Sequence, residues 1–281
     1  MHAVFERFLE EIHARNVDNV ARTDSYLELY AHTRGAGHEL PWLFMAHMVS
    51  RNAGYLMSDL ARTLTDARTP RTPSVVQVIE TVMALLERAN YLIFHDAWFH
   101  VLGHLLGRTA EAGRTPAFMR AAWLRYEHAA VRAIDRALER ALVMDLVHNE
   151  QHFIERRVVH HPRFAAGLAT IEMIEREGRE KPIHFPIGPA PNSPNSEIRV
   201  GGFADLTRRI TTGARIFDEV LADRGRRDAL YVWARSHPHT GSRMVYGGKP
   251  GPTVREAWPV ARVRALAEDI HGPAEPDPTY P

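Results

Sequence analysis

Between Ala117 and His161 the chain runs without a single glycine or proline. Glycine and proline are the residues that most readily interrupt a helix, so the stretch is free to be helical throughout. One straight helix of this length would span roughly 68 Å at 1.5 Å per residue. A compact chain of this size has a radius of gyration of about 19 Å. The helix must therefore bend or break, and "DLVHNEQ", residues 145–151, is the expected place.

Helical periodicity governs most of the remainder. "VFERFLEEIHARN" reads as a first helix, and "TDSYLELYAHT" as a second capped by Thr23 or Asp24. Pro41 stands near the start of a third, which carries Gly54 inside it. From Pro73 to about Thr109 the pattern fits one long helix or two. Residues 181–202 hold five prolines and three glycines and read as an extended connector, anchored by Ile183, Phe185 and Ile187. Helices are predicted again at 203–223, 226–236 and 259–270, and the tail 273–281 is expected to be disordered. With no repeat and no convincing strand pattern, the expectation is an all-α multi-helix bundle. It would be a single domain over residues 1–272, with its helical C-terminal section packed back on the bundle.

Composition narrows the function classes. The charge balance is near neutral, 35 basic against 34 acidic residues, so nothing favours nucleic acid or anionic lipid as a partner. The chain has no cysteine, which excludes disulfides, iron–sulfur clusters and thiol nucleophiles. No apolar leader and no run of about 18 apolar residues is visible, so a cytoplasmic, non-membrane protein is expected. Gly-x-Ser-x-Gly, the Rossmann fingerprint, His-Glu-x-x-His and the EF-hand loop are all missing from the sequence. The unusual number is 17 histidines.

Those histidines gather on apolar faces. In "FHDAWFHVLGH", residues 94–104, Asp96, His100 and His104 fall within about 40° of one helical line, and His95 faces away. A second row, Asp145, His148, His152 and Glu155, shares one face if its helix runs straight. Imidazole and carboxylate in such rows suit iron, manganese or zinc. The ligands would be His148, His152, Asp96 and Glu155, with His100 and His104 as secondary candidates. The di-iron bundle signature, Glu-x-x-His on two helices, is absent, since His152 and Glu155 stand in the reverse order. The alternative is a buried hydrogen-bonded network, because polar groups taken out of water come in partners.

Two further stretches carry charge among apolar residues. Arg51 and Asn52 lie inside "HMVSRNAGY", where a buried guanidinium needs a carboxylate, an anion or an exit to water. An internal bridge to Asp59, Asp96, Glu150 or Glu155 would serve. In "HPHTGSR", residues 237–243, Thr240, Ser242 and the amides around Gly241 could surround an anion with Arg243 as the charge. The P-loop spacing is missing, and a simple turn at Gly241 explains the loop equally.

Taken in order, "NVARTDSYLELY", "MAHMVSRNAGYLMSDL", "ERANYLIFHDAW", "HNEQHFIERRV" and "HPHTGSR" resemble the bacterial family called domain of unknown function 2515. The resemblance covers roughly residues 19–258. That family has no established activity to carry over, so it implies a helical protein. The positions that match are Arg22, Thr23, Arg51, Asn52, Asp59, Asp96, Asn149, Glu150, Glu155, His239, Gly241, Ser242 and Arg243. His100 and His104 depart from the family's pattern, which weakens an ancestral metal site or makes this one a gain.

Two functions follow as expectations. One is a small-molecule enzyme or ligand-binding protein with a buried polar centre, metal-dependent and oxidative or hydrolytic, or metal-free. In the metal-free form Arg51 and Arg243 hold a small anion, Asn52, His239, Gly241 and Ser242 assist, and Glu150 is the general base. The other is a non-catalytic interaction protein whose polar rows are core networks.

Overall fold

The computed structural model describes residues 2–37, 39–51, 60, 72–107, 155–165, 167–169, 182–184, 197–199 and 205–239. The fold is all-α. Helix α1 covers His2–Arg15 and α2 covers Asn19–Gly35. Helical residues 41–51 form α3, and α4 runs from Pro73 to Gly107 as one continuous helix. A π-helical turn at Glu155–Val159 and a 3-10 turn at Pro162–Phe164 follow. Helix α5, Leu206–Ile216, continues into a π-helical turn at Phe217–Leu221, and α6 covers Arg224–Ser236.

Aspartates set the starts of three helices. The Asp18 carboxylate accepts the Ala21 amide at 2.7 Å, Asp205 accepts that of Arg208 at 3.0 Å, and Asp223 accepts that of Arg226 at 2.8 Å. Each satisfies an amide that the first helical turn leaves without a backbone partner. This corrects the second helix: it begins at Asn19, four residues before Thr23, and neither Thr23 nor Asp24 is its cap. The difference matters for the site, because Asn19 and Thr23 become successive positions on one helical face.

The connector holds the one departure from helix among the described residues. Pro182–His184 (β1) and Glu197–Arg199 (β2) pair antiparallel, with Ile183 opposite Ile198. Six paired residues leave the fold class unchanged, but the extended reading of this segment omitted the pairing.

Helix α4 serves two cores. Its first half packs Val82, Leu85, Leu86 and Leu92 against Val158, Phe164 and Leu168. Gly167 sits close to α4 there, for a Cβ would lie 3.3 Å from the Thr81 methyl. Its second half contributes Phe94, Trp98 and Val101 to a larger core. That core also takes Ile12 from α1, Tyr26 and Tyr30 from α2, Phe44 and Met48 from α3, and Phe217, Val220 and Leu230 from the C-terminal section. The C-terminal helices therefore do pack back on the N-terminal ones. Fully burying one such side chain is worth about 1.5–3 kcal/mol, so this shared core is what holds the distant segments together.

Within "FHDAWFHVLGH" the buried stripe is Phe94, Ala97, Trp98 and Val101. Phe94 and Trp98 stack at 5.1 Å, and Tyr26 meets both rings edge-on. Asp96 and His95 are only half-buried. Aromatic area decides which face α4 turns inward.

Candidate functional site

Three of the stretches that stood out in the sequence converge in space. Helix α2 supplies Asn19 and Thr23, α3 supplies His47, Ser50 and Arg51, and the end of α6 with the residues after it supplies Trp233 and His239. Arg51, Thr23 and His47 are fully buried or nearly so, as are Asn19 and His239. Asn19 and His239 meet although 220 positions separate them in the chain.

The Asn19 Nδ2 donates to the Ser50 carbonyl at 2.9 Å and to His239 Nε2 at 3.4 Å. Thr23 Oγ1 donates to the Asn19 carbonyl at 2.6 Å, and the single proton of the Ser50 hydroxyl is shared between Thr23 Oγ1 at 2.7 Å and Asn19 Oδ1 at 3.4 Å. His47 Nδ1 lies 2.8 Å from the Thr23 carbonyl. A carbonyl oxygen only accepts, so Nδ1 of His47 carries the proton. Nε2 of His47 is then a bare lone pair, buried and without a hydrogen-bond partner. On the same logic His239 Nε2 accepts, and its Nδ1 holds the proton.

Both imidazoles are neutral at physiological pH. Burial, then the neighbouring Arg51 charge, push His47 down to about 3, although its bond to Thr23 pulls the other way. His239 is lowered well below the ordinary histidine range by burial, then Arg51, then His47. The Arg51 guanidinium lies 4.4 Å from the centre of the Trp233 ring, a cation–π contact in a desolvated setting. On its outer side Trp233 stacks on His237 at 5.0 Å. Among the described residues, the centre thus offers a cation, a buried acceptor lone pair and several oriented neutral dipoles.

A second polar cluster joins the same parts of the chain. Glu39 accepts from the Tyr30 hydroxyl and from Arg227 Nε at 3.2 Å, and Arg227 also donates to the Leu221 carbonyl at 2.6 Å. Burial first, then Glu39, raise the Tyr30 phenol above its ordinary value. A third lies between α2 and α4, where Arg22 reaches Glu87 at 2.6 Å and Asn16 at 2.9 Å.

The site residues expected from sequence fall into three groups. Arg51 and His239 are brought together, which neither stretch foretold alone. Asp96 is half-buried on α4, and Glu155 lies on the π-helical turn, 3.4 Å from His160 Nε2. His100 and His104 lie on α4, with side chains outside the described residues. Asn52, His148, Glu150, His152, Gly241, Ser242 and Arg243 also lie outside them. Among the described residues no group of three or more His, Asp or Glu side chains is placed to hold a metal ion. None of the described helices is long and apolar enough to cross a membrane.

Sequence reasoning passed over His47, Asn19, Ser50 and Trp233. A signal existed for two of them: His47, Ser50 and Arg51 stand at i, i+3 and i+4 on an apolar helix.

Fold and site together define an all-helical protein with a buried polar centre built from both ends of the chain. The chain belongs to the family described as protein of unknown function (DUF2515), whose pattern matches residues 14–269. It is 28% identical over 252 residues to the uncharacterised protein YppC of Bacillus subtilis (strain 168), covering 86% of this chain and 72% of the relative. No solved structure matches it.

Proposed function

We propose that this is a small-molecule-binding protein or enzyme, and that its ligand occupies the centre formed by Asn19, Thr23, His47, Ser50, Arg51 and His239. The observation that carries this reading is the His47 Nε2 lone pair. A buried acceptor left without a partner is unfavourable by about 1–3 kcal/mol, so a core network would be expected to engage it. A ligand donor would engage it here, beside the positive charge of Arg51. The same cation argues against a metal ion at this point, since two positive charges would share one desolvated space. The interaction-protein alternative has less support: the exposed large hydrophobics among the described residues are three separate valines, Val17, Val49 and Val232.

The test is thermal unfolding of the full chain with a panel of small anions: inorganic phosphate, sulfate, lactate and citrate. At least one should raise the wild-type Tm by several degrees and leave an Arg51→Met variant unmoved. If no anion shifts the wild type, or all shift the variant equally, the centre is not an anion site and the interaction reading takes over.

A further inference from the structure

We infer that His239 is an acid-sensitive latch: while neutral it holds the end of α6 against α2 and α3, and on taking a proton it lets go of them. The inference goes beyond the ligand-binding reading and does not depend on it.

Asn19 sets the latch. Its amide nitrogen is oriented by the Ser50 carbonyl at 2.9 Å and turns its other hydrogen to His239 Nε2 at 3.4 Å. An amide nitrogen only donates, so this contact lasts only while Nε2 keeps its lone pair. An imidazolium has no acceptor, and in the same place it would set donor against donor. Its neighbours deepen the conflict. Among the described residues, the charged and titratable groups that bear on His239 are Arg51 and His47, both of α3. On its own segment, Trp233 covers Arg51, and His237 stacks on the outer side of that ring. His239 is only 6% exposed, so water does little to screen a new charge there. Burial and the Arg51 charge oppose protonation in place, and neither opposes it once the ring has swung into water.

The rest of α6 is held by groups that this proton does not touch. Arg227 bridges to Glu39 at 3.2 Å and Asp228 to Arg34 at 2.9 Å, and Tyr231 meets the Tyr30 ring edge-on at 5.3 Å. Leu230 lies in the shared core. Release is therefore confined to the last turn of α6 and the residues that follow it. The sign is fixed by linkage: the exposed ring takes its proton near 6.5 and the buried ring only at lower pH, so opening is favoured as pH falls below about 6.5.

Hydrogen–deuterium exchange on the full chain, corrected for the intrinsic amide rate, tests this at pH 7 and pH 5. Protection of the last turn of α6, residues 233–236, should fall by about 25-fold between the two, the ratio for one proton taken up near 6.5 on opening. Amides in the middle of α2 should lose clearly less. His239→Gln keeps an acceptor oxygen without the titration and should bring the α6 ratio within about threefold. Asn19→Asp, whose carboxylate accepts from an imidazolium, should shrink or reverse the ratio, and it decides alone should His239→Gln fail to fold. An unchanged last turn in wild type overturns the latch. So does an equal loss across α2 and α6, which is global acid unfolding, or a pH dependence that survives in both variants, which assigns it to His237 or His47.

Discussion

Two polar clusters tie the C-terminal section to the N-terminal helices, one through Tyr30 of α2 and Glu39 just before α3, the other through α2 and the second half of α3, and they differ in how their polar groups are met. In the Tyr30–Glu39–Arg227 cluster, the Glu39 carboxylate meets a phenol and a guanidinium, and that guanidinium also reaches the Leu221 carbonyl. Charge answers charge, and the cluster closes on itself. In the Asn19–His47–Arg51–His239 cluster, the hydroxyls and amide share donors among themselves, and His47 Nε2 is a buried acceptor with no hydrogen-bond partner. A closed network contributes rigidity. On the reading proposed here, a network with an oriented, unmet acceptor beside a cation contributes a binding preference. The first cluster is also the more exposed, with Glu39 at 20% against 0–1% for Thr23, His47 and Arg51, so the unmet acceptor lies in the drier of the two.

Arg227→Met should cause the largest effect, a loss of about 3 kcal/mol in urea unfolding, because it removes both the ion pair to Glu39 and the buried hydrogen bond to the Leu221 carbonyl. A loss below about 1 kcal/mol would mean that the closed cluster holds nothing together.

Acidification should come next, and should act on the other cluster. His47 titrates near 3 when folded, against about 6.5 when unfolded. The unfolded chain therefore binds the proton first, and stability falls as pH drops below about 6.5, levelling off only near 3. Between pH 7 and pH 5 His47 alone should account for about 2 kcal/mol, with His239 adding in the same direction. His47→Phe should remove its share of that pH dependence, and an unchanged slope would relocate the effect to other groups.

The smallest expected change is the most telling. At pH 7, His47→Phe should stay within about 1 kcal/mol of wild type, since the lost bond to Thr23 is offset by removing an unmet acceptor. A loss above about 2 kcal/mol would make His47 a structural residue like Arg227 and would undercut the ligand site.

The helices were legible in the sequence because they depend on local rules. Period-3.6 patterning and Pro41 and Pro73 near helix starts located most of them before any coordinates. A cap depends on one hydrogen bond of one residue, and Asp18 took that role where Thr23 and Asp24 were expected. For the site, Arg51 and His239 stood out as charge and imidazole in apolar company, but as members of separate stretches. His47 stood out less, because a histidine four residues before an arginine has no meaning until both are known to be buried.

An all-α chain, the order of its helices, its freedom from cysteine chemistry and its family all follow from local sequence. Packing is what brings residues 220 positions apart into one hydrogen bond, turns one face of α4 inward and fixes which nitrogen of His47 carries the proton. The reason is physical: periodicity and capping act within a few residues, whereas desolvation, charge proximity and tautomer are set by whatever packing brings alongside.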